Sequence, residues 1–118
     1  MKVNKLISEI HDTCKGFDID DGLLLRWLSE LEERLTDETN HNYEETVPFS
    51  PITDTEADLF IPDKYADVYR YFLFMKIYLS VGDYERYNQF AELYAVALNS
   101  FKTNQAVTLT SRHKSFIY

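Results

Sequence analysis

Cysteine is nearly missing from this chain, and so are glycine and proline. Cys14 stands alone, so no disulfide within the chain and no cysteine-based zinc site can form. The three glycines, at 16, 22 and 82, are too scattered to build a phosphate-cradling loop. With three prolines as well, the chain has few of the breaks that a many-stranded protein needs, and helix is the expected state. No apolar run reaches membrane-spanning length. The N-terminal MKVNKLISEIHDTCKG has no continuous apolar segment of the kind that directs secretion, which points to a soluble intracellular product or a particle assembled inside a cell.

Charge of one sign is also missing from two stretches. Between Arg34 and Lys64 there is no Lys or Arg, and after Glu92 there is no acid. Residues 1–92 hold nine bases against 20 acids, a net −11, and residues 93–118 hold only Lys102, Arg112 and Lys114, a net +3. An acidic body repels nucleic-acid phosphates and anionic membranes, which disfavours general binding to either, while the small basic tail suits an acidic partner.

What is present is apolar and aromatic. The 118 residues are 45 % hydrophobic and 15 % aromatic, enough for one folded domain. Val3, Ile7, Ile10 and Cys14 mark one face of a first helix, which Gly16 is placed to end. Leu24, Trp27, Leu28, Leu31 and Leu35 form the stripe of a second, with Asp20 or Asp21 as its cap. Arg26, Glu30, Glu32, Glu33 and Arg34 fall on its solvated side. A third helix starts at Pro62-Asp63, with Asp63 capping, and stops at Gly82. The fourth runs from about Asp83 to Phe101 or a little beyond, on Tyr84, Tyr87, Ala91, Tyr94, Leu98 and Phe101. The short turn at Gly82 makes these two an antiparallel hairpin.

The expected architecture is therefore all-α. It is a small four-helix bundle with a long acidic connection between helices two and three and an extended C-terminal tail. Residues 1–102 form the helical domain, 36–63 the exposed acidic connection, and 103–118 the tail, where VTLT reads as a strand without a partner. In the connection, Pro48 and Pro51 favour extended backbone, and ADLFI at 57–61 reads as a short strand or an extended lead into the next helix.

The third helix is apolar almost all round. Tyr65, Val68, Phe72, Met75 and Leu79 make one stripe, Tyr71, Phe74, Tyr78 and Val81 a second, and Tyr69, Leu73 and Ile77 a third. Residues 65–87 carry six of the nine tyrosines. A helix apolar all round is normally enclosed, but three short partners leave part of it uncovered. Tyrosine hydroxyls also suit a surface that is alternately wet and packed. Tyr71, Phe74 and Tyr78 are accordingly the candidates for contact with a second subunit. The tail residues Val107, Leu109, Arg112, Lys114, Phe116 and Tyr118 are candidates for docking to a partner.

Chemistry is thinly provided. His41 beside Glu44 and Glu45 is the best metal or acid–base candidate, at a spacing that matches no metal motif. His11-Asp12 reads as an exposed helix pair, Cys14 as a small core residue, and Glu30, Glu32, Glu33, Asp37 and Glu38 as surface charge. No cofactor, metal or catalytic residue is expected.

Three blocks carry a resemblance. WLSEL at 27–31, YADVYRYFL at 65–73 and YERYN at 84–88, with DLFIP at 58–62 leading into the second, resemble the small head–tail connector (adaptor or head-completion) proteins of tailed bacteriophages and prophages. The likeness covers about residues 4–101. It implies an all-helical virion protein, without catalytic residues, that forms a ring, typically dodecameric, beneath the portal protein. Such a ring extends the DNA channel, with DNA only as passing cargo, and docks the next tail or stopper protein. Trp27, Tyr69 and Tyr87 would be packing residues of the hairpin. The implied location is the virion's head–tail interface, after assembly in the host cytoplasm and with no membrane contact. The TNQAVTLTSRHKSFIY tail runs beyond the point where such proteins often end. The competing expectation, drawn from the base-free stretch and the −11 body, is a small acidic phage-type inhibitor that mimics nucleic acid.

Overall fold

A computed structural model describes residues 1–42, 52 and 54–114, with side chains described for 1–38, 52 and 54–104. It is all-α: α1 spans Val3–Thr13, α2 Asp21–Asn42, α3 Asp67–Ser80 and α4 Tyr84–Lys114, with a single 3-10 turn at Asp63–Tyr65 ahead of α3.

Contacts between side chains fix the helix directions. Glu9 of α1 meets Arg70 of α3, and Phe17 beyond α1 meets Tyr78, so α1 and α3 run the same way. Along α4, Phe90 meets Tyr78, Tyr94 meets Phe72, and Phe101 meets Tyr65, which makes α4 antiparallel to α3. Helix α2 starts beside His11 through Asp21 and ends near Lys102 through Glu38, so it runs against α1 and α3.

The core follows the sequence periods. Val3, Leu6, Ile7 and Ile10 of α1 are buried, as are Leu24, Leu28, Leu31 and Leu35 of α2 and Val68, Tyr69, Phe72, Leu73 and Ile77 of α3. Burying each such aliphatic side chain stabilises the fold by about 1.5–3 kcal/mol. The stripe Tyr69–Leu73–Ile77, together with Val68 and Phe72, is thus the inner face of α3.

The α3–α4 turn is set by Gly82. Its φ is +79°, the Gly82 amide donates to the Leu79 carbonyl (3.2 Å), and the Asp83 amide donates to Tyr78 (2.9 Å). This bond pair closes the helix end as a Schellman motif, which needs a left-handed residue at that point. Gly82→Ala should therefore lower the unfolding free energy by about 1 kcal/mol in a urea titration through backbone strain alone, because nothing stands within 4 Å of a Cβ placed there. Gly16→Ala has the same open space without the positive φ and should leave the midpoint unchanged.

Several boundaries differ from the sequence expectation. Helix α2 continues through 36–42 into what reads as the connection. Asp63 does not cap α3. Its carboxylate takes the terminal amine of Met1, and Ala66 stands at the cap position without a side-chain bond. The end of the connection is exposed at Asp54, Thr55, Glu56, Asp58, Pro62 and Asp63 but not throughout. Leu59 and Ile61 are buried, and the backbone of 55–59 is tied to the N-terminus by Val3 N–H to Ala57 O (3.0 Å), Asn4 N–H to Thr55 O (2.8 Å) and Leu59 N–H to Met1 O (2.9 Å). ADLFI thus makes only an isolated antiparallel bridge, Asp58 with Lys2. Pro48 and Pro51 lie outside the described residues.

The tail is not extended between 103 and 114, where α4 simply goes on to Lys114. No glycine or proline follows Gly82 to stop it. A lone strand would leave its backbone donors and acceptors unpaired, whereas a helix pairs them within itself. The β-branched residues of VTLT only weaken that preference.

Candidate interaction surface

The Tyr71–Phe74–Tyr78 stripe, expected to face a neighbour, faces α4 of its own chain. Phe90 lies among its rings, with centroids 6.2 Å from Tyr71, 5.1 Å from Phe74 and 5.5 Å from Tyr78, the last pair nearly parallel at 5°. Phe17 meets Tyr78 edge-on at 5.7 Å, and Arg86 sits over the Tyr78 ring, 5.5 Å from its centroid. All three stripe residues are half-buried.

The apolar side chains left outside are others. Leu79, Val81 and Tyr84 are exposed at the hairpin tip. On the flank of α4, Leu93 is 43 % and Val96 70 % exposed. Leu93 and Val96 are three residues apart and so adjacent on the helix surface. At seven-residue steps from Leu93, the same row of α4 passes Ser100, Val107 and Lys114.

Of the tail candidates, Val107, Leu109, Arg112 and Lys114 lie on the helical continuation of α4, while Phe116 and Tyr118 fall outside the described residues. The continuation follows the point where Phe101 packs on Tyr65 and Lys102 pairs with Glu38 (2.6 Å). At about 1.5 Å per residue, Thr103–Lys114 then reaches roughly 18 Å further.

One buried polar knot holds the body together. The Glu32 carboxylate accepts the Tyr69 hydroxyl proton and the Phe60 amide (2.9 Å), and the same hydroxyl oxygen accepts the Ile61 amide (2.8 Å). Glu32 and Tyr69 are both buried, so α2, the connection and α3 meet at one closed set of hydrogen bonds. Burial pushes the Glu32 carboxyl above its ordinary 4.5, opposed by its bonds from Tyr69 and Phe60. Burial and the neighbouring carboxylate push the Tyr69 phenol far up, so it remains a donor across the working range. Glu32 is therefore not the surface charge its neighbours suggest.

The remaining candidates are scattered. His11 pairs with Asp21 of α2 rather than with Asp12. Cys14 is buried, and burial raises its thiol, which disfavours the nucleophilic thiolate. His41 lies on α2, and Glu44 and Glu45 lie outside the described residues. Among the described residues no His, Cys, Asp and Glu side chains are grouped to hold a metal ion, and no helix is long and apolar enough to cross a membrane.

Family models, curated proteins and solved structures all give no match.

Sequence reasoning missed Phe90 and Glu32. The signal for Phe90 was available, because it stands at the same spacing from Tyr87 and Tyr94 as the chosen stripe. For Glu32 the signal was weaker: it lies one turn after Leu28 on a helix whose other acids are solvated.

Proposed function

We propose that the protein is a structural assembly subunit of a tailed-phage particle, a head–tail connector or adaptor that forms a ring under the portal. In this role the ring extends the DNA channel and docks the next tail or stopper protein. The carrying observation is the α3–α4 hairpin. Its Tyr71, Phe74 and Tyr78 rings pack on Phe90 of the same chain, while Leu93 and Val96 remain exposed on the flank of a helix longer than α3. A ring subunit needs two different lateral faces, so a projecting helix at one side suits a heterologous, closed interface. The acidic body suits a channel wall past which DNA slides without sticking, and the sequence resemblance to connector proteins points the same way.

The test is incorporation into particles. Leu93→Glu with Val96→Glu removes two exposed apolar side chains, so the unfolding midpoint should stay within about 0.5 kcal/mol of the parent. Incorporation, measured by mass spectrometry of purified particles, should fall at least tenfold. Particles that lack the parent chain, or that take up the double variant equally well, would overturn the reading.

A further inference from the structure

Helix α1 starts without a cap of its own. Lys2 stands at the cap position and makes no side-chain bond to the helix, and the first turn carries no acid. The first amides of a helix have no acceptor within it, so they must find one elsewhere. Here the acceptors come from the far end of the acidic connection. The Val3 amide donates to the Ala57 carbonyl (3.0 Å) and the Asn4 amide to the Thr55 carbonyl (2.8 Å). The Asn4 side chain donates to the Glu56 carboxylate (2.8 Å), and Lys2 Nζ donates to the Glu56 carbonyl (2.9 Å). A stretch distant in sequence thus serves as the cap of α1.

The same stretch is held a second time. Phe60 donates its amide to Glu32 (2.9 Å) and Ile61 donates its amide to the Tyr69 hydroxyl oxygen (2.8 Å). Only Asp58 and Leu59 separate these bonds from the cap contacts at Thr55 and Ala57. Leu59 donates its amide to Met1 (2.9 Å) and is buried, with Ile61, in the cluster that holds Leu6, Leu28 and Tyr69. Residues 55–61 are therefore a strap, with the α1 cap at one end and the Glu32–Tyr69 knot at the other. Leu59 sits between the two, so freeing either end pulls on an apolar side chain that anchors the other.

We infer that residues 55–61 are a clasp that opens at both ends together: its bonds to the start of α1 and to the knot break and form in one step. Glu32 and Tyr69 act on α1 through the strap, since their own bonds go to Phe60, Ile61 and each other. Opening frees the Val3 and Asn4 amides, withdraws Leu59 and Ile61 from the core and uncovers the apolar side chains beneath them. The chain then has a closed form and an open form that differ in the apolar surface they present. Such partial openings involve contiguous units of structure and lie below global unfolding in free energy.

Native-state hydrogen exchange on the full chain, read residue by residue by NMR, tests it. In the parent, the amides of Val3, Asn4, Leu59, Phe60 and Ile61 should share one exchange rate, about tenfold or more faster than Leu28 and Leu73 in the core. Tyr69→Phe removes the acceptor of Ile61 only, yet Val3 and Asn4 should speed up by the same factor as Ile61, about tenfold or more. A cross-link tests the other end and stabilises rather than weakens. Lys2 and Asp58 are both exposed and face each other as an antiparallel pair flanked by the Val3–Ala57 and Leu59–Met1 bonds. Such non-hydrogen-bonded pairs stand about 4.5 Å apart at Cα, within the span of a disulfide. Oxidised Lys2→Cys with Asp58→Cys should slow exchange at Phe60 and Ile61 about tenfold relative to its own reduced form, although neither residue is cross-linked. The inference is overturned if Tyr69→Phe leaves Val3 and Asn4 at the parent's rate, or if oxidation leaves Phe60 and Ile61 unchanged. It is equally overturned if the strap amides of the parent exchange no faster than Leu28 and Leu73, since no opening short of unfolding would then exist.

Discussion

Tyr69→Phe should destabilise the fold by about 3 kcal/mol, although it removes a single oxygen atom. That oxygen accepts the Ile61 amide and its proton goes to Glu32, so its loss orphans two buried groups at once. Each unsatisfied buried partner costs about 1–3 kcal/mol. Urea unfolding followed through Trp27 fluorescence reads the change, with the midpoint falling at constant slope. Glu32→Ala should cost a similar amount, because the Phe60 amide and the Tyr69 hydroxyl then lose their acceptor. The two changes break the same closed set of bonds, so the double variant should cost about 1–2 kcal/mol less than their sum. Simple additivity would mean that the carboxylate and the phenol act separately.

The pH dependence has a defined sign. Burial raises the Glu32 carboxyl above 4.5 in the fold. A group raised on folding contributes its stability in full below its unfolded value and loses it as pH climbs through the folded one. The stability gap between the parent and Glu32→Gln should therefore be widest below pH 4.5 and narrow towards neutrality. A gap that widens towards neutral pH would show that the donors from Tyr69 and Phe60 outweigh burial.

This knot also marks where the sequence stops being legible. Leu24, Leu28, Leu31 and Leu35 declare their face by spacing alone, because a helix period is a local property. Gly82 declares the hairpin for the same reason, since its left-handed backbone is a local demand. Glu32 declares nothing. Its burial depends on the Phe60–Ile61 turn arriving from 28 residues away, and nothing within α2 records that arrival. Leu59 and Ile61 sit in a stretch whose acids mark it as solvated, yet their backbone is claimed by Met1 and Tyr69. The end of α4 was misread for another reason. A lost apolar period removes the sign of packing, but it does not remove the backbone's preference to pair within itself.

Phe90→Ala tests the most consequential of these differences. A stripe drawn through Ala91 leaves Phe90 on the solvent side, where its removal would change stability by no more than about 0.5 kcal/mol. The structure places the ring against Tyr71, Phe74 and Tyr78. Full truncation of a core phenylalanine costs about 3–5 kcal/mol, and the half-exposed position here reduces that to about 2–3 kcal/mol. Tyr78 loses its stacked neighbour and keeps only the edge of Phe17 and the Arg86 guanidinium. The α3 stripe is then released to solvent, so the variant should bind a hydrophobic dye that the parent does not. Ala91→Phe is the control, since it adds an aromatic ring one position away. If it rescues the Phe90→Ala background, the hairpin tolerates either register. If it does not, the register is fixed by the fit of Phe90 into the stripe, and the large apolar side chains left exposed among the described residues are Leu93 and Val96 on the α4 flank and Leu79, Val81 and Tyr84 at the tip.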